Sequence, residues 1–188
     1  LILCVVLAGH VARADAPAIL VLGDSLSAAY GMRVEQGWVS LLADRLKASA
    51  YGYRVVNASA SGETTGGALA RLPRALEKHR PAIVIVELGG NDGLRGLPVG
   101  DVRSNLDSII RLSRKAGAKV LIIGMRIPPN YGPAYTRDFH QLFAEVASQY
   151  WFVQNHVSDR LVLTTKTDWV DPPLARGPDA SANCQPWQ

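Results

Sequence analysis

Cysteine is nearly absent: the 188 residues hold only Cys4 and Cys184. Cys4 falls in a stretch that reads as a removable leader, so the mature chain is expected to need no internal disulfide. No block of Lys or Arg occurs, and no aromatics are interleaved among basic residues. The formal net charge of +4 is dispersed, which argues against nucleic acid as a partner. No apolar run reaches the length of a membrane span. The first loop contains neither Gly-x-Gly-x-x-Gly nor Gly-Lys-Ser/Thr, so a phosphate- or nucleotide-binding role would rest on fold analogy alone.

What remains is a composition of 48% hydrophobic and 19% charged residues, without repeats or low-complexity tracts. That suits one α/β domain with a sizeable core. Leu1 to Ala8 has the length and apolarity of a signal-peptide core, and Ala12-Arg13-Ala14 has the small-x-small form of a cleavage site. Residues 1–14 are therefore expected to be a signal-peptide remnant and 15–188 the single domain. The product would be exported, periplasmic or secreted.

Apolar runs alternate with helical patterns, as βαβ units of a mainly parallel sheet require. Strands are expected at Ala18–Leu22, Tyr53–Asn57, Ala82–Leu88 and Lys119–Met125. Trp38, Leu41, Leu42 and Leu46 recur at helical spacing, as do Ala68, Leu69, Leu72 and Leu76, with Pro73 interrupting or restarting that helix. Val102, Leu106, Ile109 and Ile110 mark a third helix, ending before Gly117. Phe139, Leu142, Phe143, Val146 and Tyr150 mark a fourth. The expected architecture is a three-layer α/β/α sandwich. Beyond Tyr150 the periodicity fades; Leu161-Val162-Leu163 fits a short strand, and Leu174 to Gln188 makes a poor closing helix.

Each expected strand ends in a loop of small polar residues. Gly23-Asp24-Ser25-Leu26-Ser27 follows the first, Asn57-Ala58-Ser59-Ala60-Ser61-Gly62-Glu63-Thr64 the second, and Gly89-Gly90-Asn91-Asp92-Gly93 the third. In an open parallel sheet these loops share one edge, where ligands bind. Ser25, Gly62 and Asn91 should therefore meet in one crevice. A serine nucleophile needs donors aimed at the oxyanion it creates, and the Gly62 N–H and the Asn91 amide are suitable. Taken singly, each of these residues is also ordinary turn chemistry.

Gly23-Asp24-Ser25-Leu26, Asn57-Ala58-Ser59-Ala60-Ser61-Gly62 and Gly89-Gly90-Asn91-Asp92 together resemble, in order and spacing, the first three sequence blocks of the SGNH (GDSL) hydrolases. Val86-Glu87-Leu88-Gly89-Gly90-Asn91-Asp92-Gly93-Leu94-Arg95-Gly96 and Arg126-Ile127-Pro128-Pro129-Asn130-Tyr131-Gly132 are similar to the bacterial thioesterase, lysophospholipase and arylesterase branch of that family. The resemblance implies a flavodoxin-like sheet of about five strands, no metal and no cofactor. It also implies hydrolysis of aryl esters, acyl thioesters and lysophospholipids, small acyl substrates being the partners of a chain expected to be monomeric. It makes Ser25 the nucleophile, and gives the oxyanion hole to the Ser25 N–H, the Gly62 N–H and the Asn91 side chain.

The family's fourth block is Asp-x-x-His. Here Asp168-Trp169-Val170-Asp171 supplies the acid, Asp168, but Asp171 stands where the histidine belongs. A carboxylate with an ordinary pKa near 4 is a poor base for a serine hydroxyl. His79, at a helix end, reads as a favourable C-terminal charge, and His140 as a residue on the polar side of its helix. His156 is the remaining substitute for the base. Two accounts of the region after Tyr150 stay open, a shifted reading frame and true divergence. The second admits a catalytically impaired scaffold that binds acyl groups or lipids.

Overall fold

The computed structural model describes residues 16–151 and 162–164. Strands β1 (Ala18–Gly23), β2 (Arg54–Asn57), β3 (Ile83–Glu87) and β4 (Lys119–Gly124) lie in the order β2-β1-β3-β4, each pairing parallel. The segment Val162–Thr164 (β5) runs parallel to β4, opposite Ile122–Gly124. Ile19 faces Val55 on one side and Ile83 on the other, so β1 is central. All six of its residues are buried, which explains its unbroken apolar run.

The helices are α1 (Trp38–Ala48), α2 (Thr65–His79), α3 (Gly90–Leu94), α4 (Val99–Lys115) and α5 (Pro133–Trp151). The two-residue alternation of the strands divides the core between the two faces. Leu20 and Leu22 of β1, with Val84 and Val86 of β3, pack against Leu72 of α2, Leu106 and Ile109 of α4, and Phe139 and Phe143 of α5. Ile19 and Val21 point the other way, onto Val39, Trp38, Leu42 and Leu46 of α1. The result is three layers, α/β/α. Among the described residues, no helix is long and apolar enough to cross a membrane.

Two expectations change. Pro73 neither interrupts nor restarts α2, which runs unbroken from Thr65 to His79. Its ring is on the exposed side while Leu72 and Leu76 are buried, so the Leu69 carbonyl that loses a donor can turn to water. The helix starts where the Thr64 hydroxyl accepts from the Gly67 N–H, at 3.2 Å, and stops at Arg80 in a left-handed conformation. The loop expected after β3 is instead wound into α3. The other element boundaries agree within about two residues of their expected positions.

Candidate active site

At the carboxyl edge of the sheet the chain leaves β1 and folds back at once. The Ala28 N–H donates to the Asp24 carbonyl (2.9 Å) and the Tyr30 N–H to the Ser25 carbonyl (3.0 Å). Asp24 is buried, and its Oδ1 accepts from the Leu26 N–H at 3.0 Å, closing an Asx turn around the half-buried Ser25. A side chain at Gly23 would place its Cβ 2.5 Å from Ser27 Oγ and 2.9 Å from Ser59 Oγ. Only glycine lets the turn close this tightly.

The segments that follow β1, β2 and β3 are joined through Asn91, in α3. Its Nδ2 donates to Asp24 Oδ2 at 3.2 Å and to the Glu63 carbonyl at 2.9 Å. Both partners are acceptors, which fixes the amide with nitrogen toward them. One side chain thus holds the residue before Ser25 and the residue after Gly62. Gly62 is exposed, with φ +77°, a conformation that disfavours any side chain. Its carbonyl accepts from Arg95 Nη2 at 3.0 Å. Ser25 and Gly62, on loops, and Asn91, in the first turn of α3, therefore lie at one edge of the sheet, while Asp168, Asp171 and His156 lie outside the described residues.

Several supporting groups were not evident from the sequence. Asp92 is buried against the first turn of α2, where Oδ2 accepts from the Thr65 N–H (2.9 Å) and Oδ1 from the Thr65 hydroxyl (2.6 Å). Asn105 Nδ2 donates to that hydroxyl at 3.1 Å, so α2, α3 and α4 meet at one polar junction. Glu87 ends β3 and is 4% exposed; its Oε2 accepts from Ser27 Oγ at 2.6 Å. Burial, and to a lesser degree the charge of Asp24, push its carboxyl up to about 7 against the Ser27 hydrogen bond. Asp24 is raised as well, first by burial and then by Asp92, with the Leu26 N–H opposing. The one available signal was an acid closing the apolar run Ile-Val-Ile-Val.

Large apolar side chains are exposed in the segments that follow β1, β3 and β4. Leu26, Tyr30, Met32 and Val34 follow Ser25, Leu94 ends α3, and Leu97 and Tyr131 lie beyond α3 and β4. The Tyr131 and Tyr135 hydroxyls donate to the Leu94 and Leu97 carbonyls at 2.8 and 2.7 Å, tying the last two segments together.

At the end of α2 the positive charge on the last carbonyl comes from Arg54, whose Nη2 donates to the His79 carbonyl at 3.0 Å. The His79 imidazole is pushed down by desolvation, then by Lys78 and Arg54, so it is disfavoured as the helix-end charge. His140 lies on the polar side of α5, as expected, and is half-buried there. Its Nε2 meets Arg126 Nη2 at 3.1 Å and its Nδ1 is buried. Among the described residues, no group of three or more His, Cys, Asp or Glu could hold a metal ion.

A serine in a tight turn after the first strand of a parallel sheet, with an asparagine amide bridging to a glycine loop, defines a class. Residues 21–177 match the GDSL-like lipase/acylhydrolase family, and the chain belongs to it. It is a serine-type carboxylic-ester hydrolase. Among individual proteins, it is 50% identical over 146 residues to esterase TesA of Pseudomonas aeruginosa, covering 78% of this chain and 73% of that protein. It is 43% identical over 175 residues to an arylesterase of Vibrio mimicus, covering 90% and 82%. A crystal structure of TesA superposes with TM-score 0.69 at 52% identity, over 70% of this chain and 73% of that one. AlinE4, an SGNH-hydrolase family esterase, gives 0.70 at 33% identity over 80% and 76%.

Proposed function

We propose that this chain hydrolyses small carboxylic esters and thioesters, with aryl esters, acyl thioesters and lysophospholipids as the substrate range, through an acyl-enzyme on Ser25. The bridge from Asn91 to Asp24 and Glu63 carries the reading, because it gathers the neighbours of Ser25 and Gly62 around one amide. Ser25 Oγ adds to the acyl carbonyl and passes its proton to a base. The oxyanion is received by the N–H groups of Ser25 and Gly62 and by the Asn91 amide. Of the two Asn91 bonds, the longer one to Asp24 yields to it. The C–O or C–S bond then breaks, the leaving alcohol or thiol takes the proton, and water repeats the attack to release the acid. No metal or cofactor enters these steps. The exposed apolar side chains Leu26, Tyr30 and Met32, which follow Ser25 in the chain, suit an acyl chain.

Asp168 is the acid of the charge system in this reading, and the family match extends across it. With Asp171 in the histidine position, or His156 as a displaced base, turnover is reduced toward what oxyanion hole and binding supply, roughly 10³-fold over water. The same Asp171 supports the second reading, an acyl- or lipid-binding scaffold. We read residues 15–188 as one flavodoxin-like domain of about five strands, supported by the order β2-β1-β3-β4 and the pairing of Val162–Thr164 with β4. We also read it as exported and monomeric, the export supported by the leader-like residues 1–14. The test is p-nitrophenol release from short acyl esters. Turnover lost in Ser25→Ala and raised in Asp171→His supports an esterase short of its base. Equal turnover by the parent and Ser25→Ala refutes the assignment of Ser25.

A further inference from the structure

A carboxylate is an expensive occupant for the end of a buried strand. Glu87 pairs in register with Gly23 and lies directly beneath the turn that carries Ser25. Its Oε2 takes the Ser27 hydroxyl at 2.6 Å, and the backbone N–H groups of Asp24 and Ser27 favour its charged form. Its Oε1 is buried without a hydrogen-bond partner among the described residues. Ser27 is held from the opposite side, because its carbonyl accepts from Asn57 Nδ2 at 2.7 Å. The hydrogen-bond partner of the Glu87 carboxylate therefore belongs to the turn that carries Ser25, while its own strand neighbours are apolar. An apolar residue would satisfy the core more cheaply.

We propose that Glu87 is a positioning residue for Ser25: its carboxylate holds the turn through the Ser27 hydroxyl, two residues beyond the serine, and so sets where the Ser25 hydroxyl points. Before substrate binds, Asp24, on the other side of the serine, is held by the Asn91 amide at 3.2 Å, so the turn is anchored at both ends. The proposal rests on the reading of Ser25 as the nucleophile. It assigns Ser27 a part in the same clamp, as the hydroxyl through which Glu87 acts.

The test is labelling of the full chain by an alkyl fluorophosphonate, followed by intact mass. The endpoint counts competent protein and the second-order rate reports alignment of the hydroxyl. Glu87→Ala and Ser27→Ala are expected to reach the parent endpoint at a rate lowered roughly ten- to a hundredfold, the cost of a misplaced reacting group. Glu87→Gln keeps an acceptor for Ser27 and is expected to recover most of the rate. The Glu87→Ala/Ser27→Ala pair is expected to be no slower than either single variant. Should Glu87→Ala fail to fold, the comparison of Ser27→Ala with Glu87→Gln decides alone. Parent rates in Ser27→Ala, or a loss of endpoint with no loss of rate, would overturn the clamp. Labelling of Ser25→Ala at the parent rate would instead overturn the nucleophile, and the clamp with it.

Discussion

Replacing Glu87 by Gln should make the protein more stable above neutral pH and leave it unchanged in acid. The ordinary value of the carboxyl, 4.5, becomes about 7 in the folded chain. Between those values the unfolded chain has released its proton while the folded chain still holds it. The folded state therefore binds more protons, and stability falls as pH rises through that window. The loss is complete above about 7. It amounts to the difference between 7 and 4.5 multiplied by 1.36 kcal/mol per pH unit, or about 3 kcal/mol. Glutamine cannot ionise and escapes the loss; it also relieves the repulsion of the buried Asp24. Urea unfolding of both proteins at pH 4.5, 6 and 8 reads the difference directly, since other titrating groups largely cancel. The expected gain is near zero at pH 4.5 and about 3 kcal/mol at pH 8, on the order of 6–12 °C in Tm for a chain this size. A gain that does not change with pH, or a loss at pH 8, would refute the account of a strained carboxylate under the turn.

The other side chains at the site give separable effects. Asn91→Ala removes the side-chain donor of the oxyanion hole, and kcat for p-nitrophenyl esters should fall roughly 10²–10³-fold, with residual activity measured against Ser25→Ala as the floor. Asp92→Ala strands the buried N–H and hydroxyl of Thr65. It should cost about 2–4 kcal/mol, seen as a lower urea midpoint at unchanged slope. Tyr131→Phe with Tyr135→Phe frees the Leu94 and Leu97 carbonyls. KM should rise for long-chain esters more than for acetate; an equal change for both would remove those loops from acyl binding.

The layers were legible because burial leaves a periodic trace. Ile19 and Val21 alternate with Leu20 and Leu22 whatever packs on them, and Leu72 and Leu76 keep their spacing through Pro73. The meeting of three loops was legible for a similar reason, since parallel strands all deliver their carboxyl ends to one edge. Hidden were the links between loops. Nothing local in Asp24, Glu87 or Arg95 says that it will reach Asn91, Ser27 or Gly62, because those partners are separated by 67, 60 and 33 residues. The turn of α3 was hidden as well. Glycine at two of its five positions argues against a helix, and packing of Gly93 against Phe139 and Ile127 outweighs that preference.

Acid quenching during turnover of a p-nitrophenyl ester, followed by peptide mapping, tests the central claim most directly. The account predicts one acyl group, on the peptide carrying Ser25 and on that hydroxyl, absent from Ser25→Ala. Continued turnover with the acyl group on another residue, or on none, would contradict it.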